Sequence, residues 1–282
     1  MDALILALVL LAAALHASWN ALVKAGGDPF VRLALLNVVS GVCALPLLFL
    51  AAVPALASWP YLFGSVAIHI AYNLALAYGY RFGDLSHVYP IARGVAPPLV
   101  MLGGWLMAGE SPGPLGTLAI LVISVAIASL AFGPGWRLGP LAPVGFALAT
   151  GLSIAGYTIC DGIGGRVAGD VLGYILWLFV LNAVPFGLIV VLWRRQDLAG
   201  QLRASWQASV LGGVFALVAY GLVIWAMSRA PMASVSALRE TSVIMAALIG
   251  TRLLREPFGT RRVVAAGVVA LGVVLLEASA PS

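Results

Sequence analysis

Long runs of apolar residues make up most of the chain, and short clusters rich in glycine, proline and charged residues separate them. Each run is close to the ~20 residues that a helix needs to cross the hydrocarbon core of a bilayer. The pattern therefore predicts ten membrane-spanning helices with short connections and no separate soluble domain. The predicted spans are residues 3–24, 31–53, 60–81, 86–108, 114–132, 141–162, 170–193, 207–228, 232–253 and 260–277.

The composition supports this prediction, because 62% of the 282 residues are hydrophobic and only 9% are charged. An average soluble domain has about 25% charged residues and has too little interior to bury such an apolar surplus. The predicted fold class is therefore an all-α integral membrane protein in contact with the lipid bilayer. The net charge of +5 does not indicate a nucleic-acid partner, since excess Lys and Arg in a membrane protein mostly reports its orientation.

The second half of the sequence repeats features of the first half in the same order. The matched pairs are Ser-Trp-Asn (18–20) with Gly-Tyr-Thr (156–158) at a shift of 138 residues, Tyr72 with Tyr220 and Arg81 with Arg229 at 148, and Arg93 with Arg239 and Glu110 with Glu256 at 146. We interpret residues 1–137 and 138–282 as two five-span repeats. Because five is odd, the second repeat must be inverted in the membrane. Inverted repeats are typical of secondary transporters, whose binding site lies at the midplane between the halves.

Several of these features together resemble a known family. They are the five-plus-five spans, the Ala-Leu-Arg sequence (237–239) in span 9, and the Gly-Glu and Arg-Glu steps before spans 5 and 10. This pattern resembles the EamA branch of the drug/metabolite transporter superfamily over essentially the whole chain. The resemblance implies a basket of helices around a central cavity, with spans 5 and 10 at the periphery. It implies transport of small metabolites, amino acids, nucleotide sugars or drugs, but no universal set of binding residues.

The orientation predicted from charge differs from the one that the family resemblance implies. The resemblance implies that both termini lie inside the cytoplasm. Eleven Lys and Arg residues lie near the connections that follow odd-numbered spans, whereas only Arg166 and Arg229 lie on the opposite side. Positively charged connections stay in the cytoplasm. We therefore expect a bacterial inner (plasma) membrane protein with both termini outside the cytoplasm, and the sequence leaves monomer and homodimer open.

Three charged residues fall near the middle of predicted spans: Arg93 in span 4, and Arg239 with Glu240 in span 9. A charge at the bilayer centre costs roughly 2.5–3.5 kcal/mol on insertion scales and usually faces a cavity or a partner. The planar donors of arginine suit carboxylate and phosphonate groups, which predicts a site for an anionic or zwitterionic substrate. The alternative is a structural ion pair, such as Arg93 with Glu240, that neutralises both charges.

Glu240 and Asp161 are the candidates for ion coupling, with protons as the coupled ion. A carboxyl group inside a cavity can exchange a proton, whereas a neighbouring arginine would keep Glu240 ionised. Glycines surround Asp161 and suggest that span 6 is ending there. A solvated position at the end of the span is therefore the alternative for Asp161.

Aromatic and amide side chains are the remaining candidates for the substrate site. Two spans share a pattern in which His16, Trp19 and Asn20 correspond to His69, Tyr72 and Asn73. The spacing places each trio on one helix face, where it either lines a cavity or joins helices by hydrogen bonds. The histidines are either proton carriers or structural residues. Tyr89 shares a helix face with Arg93, and Tyr157 and Tyr220 are added because of their repeat matches.

Three prolines distinguish span 4 from its counterpart in the second half. Pro90, Pro97 and Pro98 lie on either side of Arg93 and remove amide donors from the helix. Backbone groups freed at membrane depth are tolerated only inside protein or beside a wet cavity. We therefore expect an interrupted helix in span 4, and we expect the interruption to be absent from span 9.

These features favour a secondary transporter of a small polar metabolite, anionic or zwitterionic, such as an organic acid, an amino acid or a phosphonate. The alternative within transport is a proton-coupled exporter of lipophilic or quaternary cations, with Glu240, Asp161 and the aromatic residues as its cavity. An enzyme is not expected, because the sequence has no histidine-rich metal cluster, no G-x-S-x-G and no H-E-x-x-H. No cofactor and no metal site are predicted.

Overall fold

The computed structural model describes residues 2–24, 29–82, 85–132, 141–246 and 260–279. Within these residues the chain forms ten helices and no strand. The helices are α1 (Ala3–Lys24), α2 (Pro29–Leu47), α3 (Trp59–Phe82), α4 (Leu85–Ala108), α5 (Gly113–Ser129), α6 (Leu141–Val167), α7 (Val171–Met227), α8 (Met232–Arg239), α9 (241–246) and α10 (Thr260–Ala278). Two short 3₁₀ turns, Leu48–Leu50 and Leu56–Ser58, connect α2 to α3.

The predicted all-helical membrane fold is confirmed. Among the described residues, six helices are long and apolar enough to cross a bilayer. Many large apolar side chains face outward, as expected of a surface that contacts lipid. Phe49, Leu56 and Leu141 are among the most exposed, at 92%, 86% and 86%. The predicted end of span 9, Glu256 and the predicted boundary between residues 137 and 138 lie outside the described residues.

Predicted spans 7 and 8 both belong to α7, which reverses direction between them. Along a straight helix, Ile175 and Gly221 would be roughly 70 Å apart. Instead Gly221 lies against Ile175, and Gly187 and Gly213 lie against Val38 and Val39 on α2. The first and last parts of α7 therefore run side by side in opposite directions and cross the membrane twice.

The expected interruption of span 4 is wrong, because α4 is continuous and contains Pro90, Pro97 and Pro98. The interruption lies in span 9, where α8 ends at Arg239 and α9 begins after Glu240. The amide of Glu240 donates to the carbonyl of Ala237, and the amide of Val243 donates to the carbonyl of Glu240. These tight turns release the Arg239 carbonyl from its helical partner. Proline is tolerated in α4 because α5 and α6 enclose it within the bundle.

Small residues bring α5 and α6 very close to α4 on both sides of Arg93. A β-carbon at Gly94 would lie 2.9 Å from the amide of Ala128 on α5. A β-carbon at Gly151 on α6 would lie 2.8 Å from the carbonyl oxygen of Ala92. Close backbone approach at small residues is the usual way in which membrane helices pack. The segment that contains Arg93 is therefore fixed in position by its neighbours.

We expect Gly151→Ala to lower the thermal stability of the protein. The added methyl group would press on backbone that is held from both sides, and such overpacking costs about 1–3 kcal/mol. Gly145→Ala on the same helix is the matched control, because a β-carbon there has no neighbour within 4 Å. Alanine is also the better helix former. Unfolding of both variants in lipid nanodiscs checks the prediction, and equal melting temperatures would contradict it.

Candidate functional site

A buried ion pair joins α4 to the break after α8. Arg93 Nε lies 3.0 Å from Glu240 Oε2, and the two side chains are only 2% and 1% exposed. Within the described residues neither atom makes a well-directed hydrogen bond, so the contact is mainly electrostatic. The structural pair considered as the alternative for Arg93 is therefore present. Arg93 and Glu240 neutralise each other.

Arg93 also stabilises the helix break itself. Its Nη2 donates to the carbonyl oxygen of Arg239 at 3.2 Å and to the hydroxyl of Ser242 at 2.8 Å. The Arg239 carbonyl is the one released where α8 ends, and a buried carbonyl without a partner would be costly. The guanidinium carbon of Arg93 lies 5.8 Å from the ring centre of Tyr89. Arg93 therefore contacts a carboxylate, a backbone carbonyl, a hydroxyl group and an aromatic ring, and these contacts fix its position.

Arg239 has a different environment, although it is equally buried at 4% exposure. Its guanidinium carbon lies 5.3 Å from the ring centre of Tyr220. Among the described residues, no side chain or backbone group forms a hydrogen bond or ion pair with this guanidinium. Buried arginines are normally paired with an acceptor. Arg239 therefore presents unused hydrogen-bond donors and a full positive charge inside the protein.

Four aromatic rings form a cluster beside Arg239, which we name the aromatic cluster. His69 stacks on Tyr157 with ring centres 4.1 Å apart, and Tyr220 and Tyr72 meet Tyr157 edge to face at 5.5 Å each. The Nδ1 atom of His69 is within hydrogen-bonding distance of the Ser65 carbonyl, at 2.9 Å. The cluster gathers residues from α3, α6 and α7 into one wall of the site.

Asp161 lies at the far side of Tyr220 and is fully buried. The hydroxyl of Tyr220 donates to its Oδ2 at 2.5 Å, and the hydroxyl of Tyr174 donates to its Oδ1 at 3.0 Å. Ser65 on α3 also interacts with this carboxyl group. The solvated position considered for Asp161 is therefore wrong, because α6 continues to Val167 and the glycines around Asp161 allow close packing. Tyr220 connects Asp161 to Arg239.

The first histidine trio is divided between the site and the hydrophobic core. His16 lies within electrostatic range of both central arginines. Its ring meets Trp19 edge to face at 4.8 Å, and Trp19 packs among apolar residues of α2 and α3. The amide of Asn20 donates to the backbone carbonyl of His16. The asparagine of this trio therefore turns toward its own helix rather than toward the arginines.

Asn73 in the second trio joins helices. Its amide donates to the carbonyl of His69, and its carbonyl oxygen accepts from Asn37 on α2 at 3.4 Å. His69 and Tyr72 remain in the aromatic cluster. The structure thus brings Arg239, Arg93, Glu240 and the aromatic cluster together, and it leaves Asn73 as a link between α2 and α3.

Hydrogen bonds close one end of the bundle. Glu110 pairs with Arg166 and accepts from the amide of Met232 at the start of α8. Arg166 also donates to the carbonyls of Met227 and Ala230. These contacts connect the loop after α4 to the end of α6 and the start of α8. The role of Glu110 is therefore that of a cap for α8.

A pocket lies at the opposite end of the bundle. Its lining includes Trp19, Leu22, Arg32, Leu36 and Gly212. Neither central arginine is among the residues that line it. The bundle is thus tied together at one end and has a pocket at the other.

The sequence interpretation did not single out Tyr174, Ser65 or Ser242. Tyr174 is fully buried, yet a single tyrosine near the start of a membrane helix usually indicates an interfacial anchor. Ser65 precedes His69 by one turn, and Ser242 follows Glu240 by two residues. The run of polar residues 239–242 in an apolar span was the available signal for Ser242.

Comparisons with known proteins agree with this architecture. Residues 141–277 match the model of the EamA-like transporter family. The fold matches 28 chains of solved structures. One of them, described only as "Crystal structure of protein", is 16% identical, with a TM-score of 0.74 over 96% of this chain and 94% of that chain. No curated protein matches the sequence. The predicted resemblance is confirmed over the second half of the chain, which is similar to the EamA-like transporter family.

Proposed function

We propose that the protein is a secondary active transporter of a small polar metabolite with an anionic group, either an anion or a zwitterion. The observation that supports this proposal is the unpartnered guanidinium of Arg239. A buried charge without a partner is costly, and a bound carboxylate or phosphonate would supply the missing acceptors. The planar donor fork of arginine suits both groups.

The surroundings of Arg239 fit the rest of such a substrate. Arg93 has its charge neutralised by Glu240, so Arg239 is the arginine whose charge is left to attract an anion. The aromatic cluster next to Arg239 provides an apolar wall with polar edges. Binding sites for small molecules commonly combine such walls with a few directed polar groups.

Alternating access is the transport mechanism that we propose, with residues 1–137 and 138–282 as the two inverted repeats. The tied end at Glu110 and the pocket near Arg32 are what this mechanism expects of one of its two states. We further propose that the protein lies in a bacterial inner membrane with both termini outside the cytoplasm. The pocket then faces the cytoplasm, and reporter fusions at each terminus test this orientation.

A cation exporter is the second candidate, because Asp161 and the aromatic cluster form a carboxylate site lined by rings. Rings and a carboxylate favour quaternary cations. The net positive charge of the arginines beside the cluster opposes this function. The same arginines give no support to an enzymatic role.

A substrate panel in proteoliposomes tests the proposed function. The panel contains succinate, methanesulfonate, alanine, methylphosphonate and tetraethylammonium, each added outside vesicles loaded with the same unlabelled compound. We expect exchange of anions or of alanine at least about tenfold above protein-free vesicles, and none of tetraethylammonium. Exchange of tetraethylammonium alone would overturn the proposal and favour the cation exporter.

A further inference from the structure

We propose that Asp161 is the proton-coupling site and that Tyr220 transmits its protonation state to Arg239, which makes the protein a symporter of protons with anionic substrates. The proposal rests on the proposed function and assigns a coupling ion, a coupling residue and a direction to it. It follows from the different surroundings of the two buried carboxyl groups, Asp161 and Glu240.

Glu240 is poorly suited to carry a proton. Its carboxylate is ion-paired with Arg93, which is fully buried and has no alternative acidic partner among the described residues. A proton on Glu240 would leave the arginine charge buried and uncompensated, which costs several kcal/mol. Asp161 has neutral partners instead, the hydroxyl groups of Tyr174 and Tyr220. It can gain or lose a proton without breaking an ion pair.

The groups around Asp161 come from each helix that packs against it. The titratable and charged groups that act on Asp161 are Cys160 on α6 itself, Tyr174 and Tyr220 on α7, and Arg239 on α8. His69 on α3 and Tyr157 on α6 lie against the other side of Tyr220, and Arg93 on α4 is already paired with Glu240. Arg239 is the unneutralised cation of this set. The carboxylate of Asp161 and a substrate anion would therefore both be attracted by the positive charge of Arg239.

Tyr220 provides the physical link between the two sites. When Asp161 is ionised, the hydroxyl of Tyr220 donates to Oδ2 and is unavailable to a substrate. When a proton from water binds Oδ2, the carboxyl O–H can donate to the phenol oxygen. The phenol proton is then free to point toward an anion on Arg239, whose guanidinium lies over the same ring. No covalent bond of the protein changes, and one proton is added.

The direction of coupling follows from charge. With Asp161 ionised, its negative charge offsets Arg239 and weakens anion binding. With Asp161 neutral, Arg239 has its full charge and Tyr220 offers a second donor. Protonation and anion binding therefore favour each other, and by linkage each must strengthen the other to the same extent. A carrier in which they bind together moves proton and anion in the same direction.

The first test requires no substrate. Protein labelled with ¹³C at the aspartate carboxyl carbons is titrated in nanodiscs by NMR, and Asp161→Asn identifies the resonance of Asp161. We expect the chemical shift of this carboxyl carbon to move from its protonated value to its ionised value as the pH is raised from about 5 to 9. If Asp161→Asn does not fold, Tyr220→Phe identifies the resonance by its displacement. A resonance that stays constant over this range overturns the proposal.

The second test measures coupling, using methanesulfonate as the anion and alanine as the zwitterion. With the membrane potential clamped at zero, one coupled proton gives about tenfold accumulation per unit of pH gradient. We expect this of the wild type. Asp161→Asn is expected to exchange the probe without concentrating it, so the ratio of its inside to outside concentration should stay at about one. Tyr220→Phe should reduce accumulation without abolishing it, because Asp161 still titrates and its charge still acts on Arg239.

Tyr174→Phe is the matched comparison for Tyr220→Phe. It removes a donor to the other carboxyl oxygen but leaves the phenol beside Arg239, so accumulation should persist. The proposal is overturned if accumulation by the wild type does not depend on the pH gradient, or if Asp161→Asn accumulates the probe as fully as the wild type does. If the wild type exchanges no member of the substrate panel, the proposed function fails, and the NMR titration still decides whether Asp161 binds a proton.

Discussion

Replacing Arg239 with glutamine is expected to weaken the binding of the transported anion by at least about thirtyfold. Removing one partner of a buried charge pair costs about 2–5 kcal/mol, and 1.4 kcal/mol corresponds to a factor of ten. The loss should appear in direct binding as well as in exchange. Arg239→Lys keeps the charge but loses the planar fork, so its affinity should lie between those of glutamine and the wild type.

The stability of Arg239→Gln provides a second readout. Because the guanidinium has no hydrogen-bonding partner among the described residues, its removal leaves no acceptor unsatisfied and eliminates a buried charge. We therefore expect the empty variant to be at least as thermally stable as the empty wild type. The wild type alone should gain stability when the anion is added, as expected for a ligand that binds the folded state.

Arg229→Gln is the matched control for this substitution. Arg229 is an exposed arginine on the chain just before α8, where it lies over the ring of Trp225 at 4.2 Å. Its loss removes one positive charge outside the buried site and should leave binding within about twofold. If Arg239→Gln bound the anion as tightly as the control does, Arg239 would have no role in recognition.

The number and placement of the membrane helices could be predicted from the sequence because lipid imposes a simple requirement. Each crossing needs ~20 apolar residues, and every backbone polar group must find a partner within the protein. For α1, α3 and α4 the predicted ends agree with the structure to within one or two residues. The connection inside α7 was predicted as a break, yet the helical backbone continues into it before the chain reverses.

The helix break was misplaced because the sequence rule considers one helix at a time. Proline removes a donor, but the close contact of α4 with α5 and α6 keeps its backbone helical. The break after Arg239 involves neither proline nor glycine. It is stabilised from another helix, since Arg93 supplies the donor that the freed carbonyl needs. Such compensation depends on tertiary packing and has no signature within span 9.

The same limit applies to the two central arginines. Their matching positions in the sequence suggested equivalent roles, and both were predicted as substrate residues. The structure gives them unequal surroundings, since Glu240 follows Arg239 in the chain but turns toward Arg93. Of the two, only Arg239 is left without an ion pair or a side-chain hydrogen bond among the described residues. Sequence spacing identified the correct helices, but it could not decide which arginine pairs with the single nearby carboxylate.

Breaking the Arg93–Glu240 pair is expected to destabilise the fold strongly. In Arg93→Gln, the carboxylate of Glu240 loses its cationic partner, and the carbonyl of Arg239 and the hydroxyl of Ser242 lose a charged donor. Removing one partner of a buried ion pair costs about 3–5 kcal/mol. We expect a marked fall in the melting temperature and in the yield of folded protein, in contrast to Arg239→Gln.

The double substitution Arg93→Gln with Glu240→Gln separates charge from shape. Two amides of similar size carry no net charge, so the double variant should recover most of the stability lost by either single variant. A double-mutant cycle of melting temperatures measures this recovery. If the two single losses simply added, the pair would contribute no interaction energy. Arg93 would then stabilise the fold through its contacts with Arg239 and Ser242 alone, that is, through the helix break rather than the ion pair.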